Sequence, residues 1–252
     1  MRQRIPQSWK RIAVLSVTLL AVGFLLRTHI SSVSAATLHG PYTTQFPATE
    51  NPISEGGKWI SGKAVGLDWA DVRTTTNKAF GTESGTVDYD DSTAILTGTW
   101  GPDQTVQATV FAAQGFHGEV ELRLRSAISA HVNTGYEVNF SGGYCQVVRW
   151  EGALGNFTML ANNTGVSVKN GDTVKATIVG SEITVYINGT QVNHVIDSKF
   201  TSGAPGIGFY NAGTSNSPND QYGFTSFTAT DGGTGGSGQA PNPPTNLSLT
   251  VS

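Results

Sequence analysis

An all-β, antiparallel fold is what this sequence predicts, in the form of a sandwich, jelly roll or barrel. Three observations point there. Short runs rich in Val, Ile and Thr recur from Lys58 to Thr230, each bounded by Gly, Asn or Asp. The 252-residue chain holds 31 glycines, a composition suited to many turns. After residue 36, no apolar pattern of 3.6-residue period persists for about a dozen positions, so no helix is expected there.

The chain is taken in order. Arg2, Arg4, Lys10 and Arg11 precede a fifteen-residue apolar run, Ile12 to Leu26, and Val33-Ser34-Ala35-Ala36 offers a small-residue cleavage site. This is the layout of a secretory signal peptide over residues 1–36, helical and removed on export. An uncleaved anchor is the competing reading, but fifteen residues fall short of the roughly 20 that span a bilayer. Residues 37–57 lack periodicity and read as loop. Ser92–Thr99 and Thr105–Phe111 are Thr/Val-rich strands bounded by "DYDD" (88–91) and "GPDQ" (101–104).

In "GEVELRLRS" (118–126), Val120, Leu122 and Leu124 alternate with Glu119, Glu121, Arg123 and Arg125. Strict period two implies one buried face and one wet face. "GYEVNFSGG" (135–143) repeats the pattern, with Tyr136, Val138 and Phe140 opposed to Glu137 and Asn139. Residues 166–195 read as an antiparallel meander. Asn170-Gly171 and Asn188-Gly189 supply the positive-φ pairs that tight hairpins use, and Gly180-Ser181 separates two β-branched runs. Residues 37–230 thus form one domain. Residues 231–252 are a flexible Gly/Ser/Pro-rich tail ending in the remnant strand "LSLTVS".

Charge narrows the partners. The chain carries 15 Lys+Arg and 18 Asp+Glu. Five of the basic residues and none of the acids lie in the first 36 positions, which leaves ten against eighteen, a net −8, in the exported part. Clustered Lys and Arg are lacking, so nucleic acid is not expected as a partner. No membrane span is expected once the signal is removed. Cys145 is the single cysteine. It can form no intramolecular disulfide and is expected to be buried as a small hydrophobe.

The densest chemistry lies in "GGYCQVVRWEG" (142–152). On a strand, Tyr144, Gln146, Val148 and Trp150 share one face, and Cys145, Val147, Arg149 and Glu151 the other. Two readings stay open. In the structural one, Cys145 and Val147 enter the core and Arg149 pairs with a carboxylate. In the functional one, Tyr144 and Trp150 stack on a sugar ring while Gln146, Arg149 and Asn139 orient its hydroxyls. If the neighbouring strands are adjacent, Glu121, Arg123, Glu137, Asn139 and Arg149 project from one sheet. They would form either a surface salt-bridge lattice or a ligand groove, and paired carboxylates there could do acid–base work. Asp88, Asp90 and Asp91 cluster in a turn where calcium would find hard oxygen ligands, although Asp is also a common turn former. The five histidines show no zinc-type spacing.

"GDTVKATIVGSEITVYINGTQV" (171–192), "GAPGIGFYNAG" (203–213) and "YGFTSFTAT" (222–230) resemble the second half of a concanavalin A-like lectin/glucanase jelly roll, in its bacterial, laminin-G-like secreted branch. The resemblance implies an antiparallel jelly-roll β-sandwich and a carbohydrate partner. It also implies where catalysis would sit. Retaining glucanases of this fold carry Glu-x-Asp-x-x-Glu on one strand. Here Glu119-Val120-Glu121 is followed by Arg123 and Leu124 where the third acid would stand. The leading expectation is therefore a secreted, non-catalytic domain that binds a polysaccharide and needs no cofactor unless calcium occupies the Asp turn. The alternatives are a glycoside hydrolase or polysaccharide lyase using Glu121, Glu137 and Arg123, and a cell-surface adhesion module.

Overall fold

In the computed structural model, residues 41–84, 89, 91–113, 118–211 and 218–232 are described, all within the unit Ala36–Ser252. The expected signal helix, Asp88, Asp90 and the tail beyond Gly232 lie outside the described residues. The strands in chain order are β1 (Tyr42–Thr44), β2 (Trp59–Ser61), β3 (Arg73–Thr75), β4 (Lys78–Phe80) and β5 (Ser92–Leu96). They continue as β6 (Gln104–Ala112), β7 (Glu119–Ser129), β8 (Val132–Phe140), β9 (Cys145–Gly152) and β10 (Phe157–Asn163). The last five are β11 (Thr173–Val179), β12 (Glu182–Ile187), β13 (Thr190–Ile196), β14 (Ala204–Tyr210) and β15 (Tyr222–Asp231). Among the described residues, helical structure is limited to the 3₁₀ turns Gly62–Val65 and Asn219–Gln221.

Two antiparallel sheets form the sandwich. The first runs β13–β12–β11–β6–β15–β4–β3, with β1 added against β15. The second runs β10–β9–β8–β7–β14–β5–β2. Their facing sides share one apolar core. Val106, Ala108, Val174, Ala176, Ile178, Phe224 and Phe227 enter it from the first sheet. Val120, Leu122, Leu124, Tyr136, Val138, Phe140, Cys145, Val147, Ile207 and Phe209 enter it from the second. The expected alternation in β7, β8 and β9 is therefore realised on the inner side.

Three local expectations change. The stretch 37–57, read as loop, contributes β1 and a bridge from Glu50 to Thr74, because β15 and β3 offer it unpaired edges. The meander is β11–β12–β13, joined by Gly180 (φ +57°) and by Asn188-Gly189 (φ +51° and +80°). Asn170-Gly171 closes no hairpin, since residues 166–168 form no strand; Val168 is instead buried against the core, and the Gly171 N–H donates to the Val110 carbonyl at 2.8 Å.

Arg125 also departs from its expected place on a wet face. It sits in a register shift between Leu124 and Ala127 with φ +46°. Its side chain is buried and donates to the carbonyls of Pro102 (2.6 Å), Phe200 (2.9 Å) and Gly180 (2.8 Å). One guanidinium thus ties three loops that the strand order leaves far apart in sequence.

Burial pushes the Cys145 thiol up to about 12, against a smaller opposing effect from the Asn193 amide. Thiolate is the reactive form. Ellman's reagent is accordingly expected to leave the native protein unlabelled and to titrate one thiol after denaturation; rapid native labelling would contradict the burial of Cys145.

Candidate functional site

The strands that carry the expected site residues are neighbours. Register pairs Glu121 with Asn139 and Arg123 with Glu137, then Asn139 with Gln146 and Glu137 with Val148. Glu119, Glu121, Arg123, Glu137, Asn139, Gln146 and Trp150 consequently share the outer face of the second sheet, opposite the core. Arg149 does not. It lies on the other face, donating through Nε to Glu151 at 2.6 Å and pairing through Nη1 with Asp197. Its predicted role in orienting a ligand beside Gln146 is corrected by strand parity, as is its place in a shared polar lattice.

The outer face is not wet. Glu121 is 0 % exposed, and Arg123 and Glu137 are buried with it. Part of the segment 62–70 packs on this face. Leu67 and Trp69 pack there with Val148 and Trp150 in a second, smaller apolar cluster, with the two indole rings edge-to-face at 5.0 Å. Trp150 is 2 % exposed, its Nε1–H donating to Glu137 Oε2 at 2.7 Å. With so little of Trp150 exposed, it offers no open stacking platform. The predicted surface lattice is likewise a buried one.

Arg123 lies at the centre of that lattice. Its Nη2 donates to Glu121 Oε2 at 2.5 Å, and its Nη1 meets Glu137 Oε2 at 2.7 Å. The pair leans across β14 over Gly208. A Cβ on Gly208 would overlap Glu121 Oε2 and stand 2.7 Å from Arg123 Nη2, which gives the second glycine of "GIG" a physical reason. Asp91, expected in a turn with Asp88 and Asp90 that calcium could use, is buried, and its carboxylate lies within 4.8 Å of those of Glu121 and Glu137, a group that could hold a metal ion.

Beside this cluster opens a cleft of about 300 Å³. Asp91, Glu119, Glu137 and Asn139 supply carboxylate and amide groups to its lining, Tyr144 and Gln146 add polar groups, and Tyr89, Phe157, Met159 and Tyr210 supply apolar surface. The Tyr144 hydroxyl donates to Glu119 Oε1. Tyr89 is 47 % exposed and its ring lies 5.4 Å from that of Phe157. Sequence reasoning reached Tyr144, Gln146, Asn139 and Glu137 but missed Glu119 as a cleft residue, although its parity with Glu121 was visible. It also missed Tyr89, Phe157, Met159 and Tyr210, which reach the cleft from outside the strands it weighed.

With both sheets and the cleft in place, the architecture can be compared with solved structures. A Bacillus licheniformis β-glucanase superposes with a TM-score of 0.50 at 10 % identity, covering 77 % of this chain and 99 % of that one. This protein has the concanavalin A-like jelly-roll fold. The carbohydrate-binding module CBM66 from Bacillus subtilis is also similar, with a TM-score of 0.48 at 18 % identity over 71 % of this chain and 95 % of that one. So is the carbohydrate recognition domain of Emp46p in its potassium-bound form, with a TM-score of 0.47 at 9 % identity over 77 % of this chain and all of that one. No protein-family model matches the chain, and no curated protein matches it in sequence.

The electrostatics of this jelly roll's cleft follow from burial. Burial and the Glu137 charge raise Asp91 and Glu121 well above the usual carboxylate range, with Arg123 opposing. For Arg123 itself burial acts to lower the pKa, but Glu137 and Glu121 outweigh it, so the guanidinium stays charged. Glu119 is pushed up to about 7, by burial above all and by the Glu137 charge, while the hydrogen bond from Tyr144 opposes. Three polar atoms in the region have no hydrogen-bond partner among the described residues: Glu121 Oε1, Arg123 Nε and Asn139 Oδ1.

Gly208→Ala is expected to destabilise the protein by about 1–3 kcal/mol through overpacking. Gly143→Ala, with no atom within 4 Å of the new Cβ, is expected to stay within about 0.5 kcal/mol. Equal melting temperatures for the two variants would remove Gly208 from the support of the ion pair. A second expectation concerns pH. A carboxyl whose folded pKa is raised binds its proton more tightly in the native state, so the stability it contributes is complete below about 4.5 and lost as pH rises through about 7. For Glu119 the difference is about 3 kcal/mol. Glu119→Gln keeps an acceptor for Tyr144 and is expected to flatten the decline in stability between pH 5 and 8; an unchanged slope in chemical denaturation would contradict this.

Proposed function

We propose that this protein is an exported carbohydrate-binding domain that holds a glycan in the cleft on the outer face of β7–β10. The observation that carries the proposal is the lining itself: apolar and aromatic side chains beside convergent carboxylate and amide groups, most of them mounted on one sheet. Sugar rings present apolar C–H faces and polar rims, and such a mixture matches them. A cleft of about 300 Å³ lies at the small end of ligand sites and suits a short glycan segment. Tyr89, Phe157 and Met159 would contact ring faces, while Gln146, Asn139 and Asp91 would meet hydroxyls. Export rests on the basic and apolar pattern of residues 1–36, and no helix among the described residues is long and apolar enough to cross a membrane.

Binding is favoured over catalysis because the cluster's strongest carboxylates are already engaged. Glu121, one half of the expected catalytic pair, is sealed from the cleft, and Glu137 Oε2 accepts from both Arg123 and Trp150. One observation supports glycoside hydrolysis as a second reading. Burial pushes Glu119 up to about 7, in the range a general acid uses.

Affinity electrophoresis of the purified protein through gels cast with a panel of polysaccharides tests the first reading. Retardation by at least one polymer is expected, reduced several-fold in Tyr89→Ala, whose exposed ring can be removed without opening the core. A wild type that no polymer slows would overturn glycan binding in favour of an adhesion role. Release of reducing ends from a retarding polymer, abolished in Glu119→Gln, would replace binding with hydrolysis.

A further inference from the structure

We infer that the glycan taken by this cleft carries free amino groups, so that an ammonium substituent sits against Asp91, Glu137 and Asn139. The inference rests on the glycan-binding reading and deepens it. Its first basis is charge. Asp91, Glu119, Glu121 and Glu137 are all buried around a single guanidinium, and Arg123 already spends both terminal nitrogens on Glu121 and Glu137. The site thus holds more carboxyl groups than its own cation can pair, the surplus being met by protons that a cationic ligand would displace, and Glu83 adds a further nearby carboxylate that bears on Asp91.

The second basis is the balance of donors and acceptors. Asn139 is 5 % exposed, lines the cleft, and its Oδ1 accepts from no donor among the described residues. Leaving a buried acceptor unmet is costly, so a ligand that brings a donor there is favoured. The Tyr144 hydroxyl, one of the cleft's few donors, is already committed to Glu119. A ligand that fits must therefore supply N–H or O–H groups, and positive charge as well.

A protonated amino sugar meets both demands. Its ammonium is a compact charge with three donors and no acceptor. The aromatic walls add to the preference, because Tyr89, Phe157 and Tyr210 present ring surfaces that attract cations. A neutral sugar would bring donors but no charge to take the place of those protons, and a uronic acid would add a further carboxylate to the cluster. A bare divalent cation is the other way to neutralise Asp91, Glu121 and Glu137. Arg123, however, already lies within hydrogen-bonding distance of two of those three and competes with such an ion for their oxygens.

Calorimetry of the purified protein at pH 6 with three trisaccharides decides the matter: the glucosamine trimer, its fully N-acetylated form, and trigalacturonate. The glucosamine trimer is expected to bind at least about tenfold more tightly than the N-acetylated one, a difference of about 1.4 kcal/mol, with trigalacturonate weakest. In Asp91→Asn the ratio is expected to shrink several-fold. Should that variant fail to fold, the wild-type ratio decides alone. An N-acetylated trimer bound as tightly as the amine would overturn the inference and leave glycan binding standing. If no trimer binds while a polymer retards the protein in gels, the inference again falls alone. If neither binds, both fall. Loss of the preference in EDTA would assign the charge to a metal ion and overturn the amine.

Discussion

Arg123 is the interaction on which the outer face of this sandwich depends. It is a single guanidinium held between Glu121 and Glu137, in a place that water does not reach. An isolated charge there would be prohibitively costly, and even a paired one gains little unless its geometry is good. The geometry is met by parts of the chain that have no other reason to be as they are. β14 presents Gly208 where any Cβ would collide, Trp150 donates to the same oxygen of Glu137 that Arg123 holds, and Trp69 packs edge-on against Trp150. The carboxylates left over, Asp91 and Glu119, resolve their excess charge by holding protons more tightly, which makes the cleft responsive to pH and to cations.

The two faces of the second sheet divide the work. The inner face contributes Val, Leu, Ile, Tyr and Phe side chains to a core shared with the first sheet, and this supplies most of the hydrophobic stabilisation. The outer face can then hold polar groups in fixed positions, because the strands beneath it are anchored from the other side. Sites built on strands are more precise than sites on loops. Arg125 extends the same logic to the sandwich's rim, where its left-handed backbone and three carbonyl partners fasten loops around residues 102, 180 and 200.

Much of this was legible in the sequence. The alternation in 118–126 and 135–143 named every core residue of β7 and β8 correctly, and parity in 142–152 separated Tyr144, Gln146 and Trp150 from Cys145 and Val147. The same parity put Arg149 opposite Gln146, yet the ligand reading joined them, and the structure keeps them on opposite sides of the sheet. Trp150 was misjudged for a different reason. Its exposure depends on Trp69, which lies far upstream and shows no strand pattern of its own. Asp91 had been grouped with Asp88 and Asp90 by nearness in sequence, while its burial beside Glu121 and Glu137 comes from the pairing of β5, β14, β7 and β8.

By itself, then, the sequence determined most of the strands from β5 onward, where several of the tight turns fall, and which side chains share a face. These follow from backbone geometry, whose period of two acts over a few residues. Only the tertiary structure decided which of the two faces of β7–β9 is covered, by what, and at what electrostatic cost. Burial and charge neighbourhood arise from segments brought together across many residues, and no local pattern carries that information. The functional character of the cleft lies on that second side. A row of Glu and Arg that reads locally as a wet surface becomes, once the chain is folded, a buried cluster beside an acidic cleft.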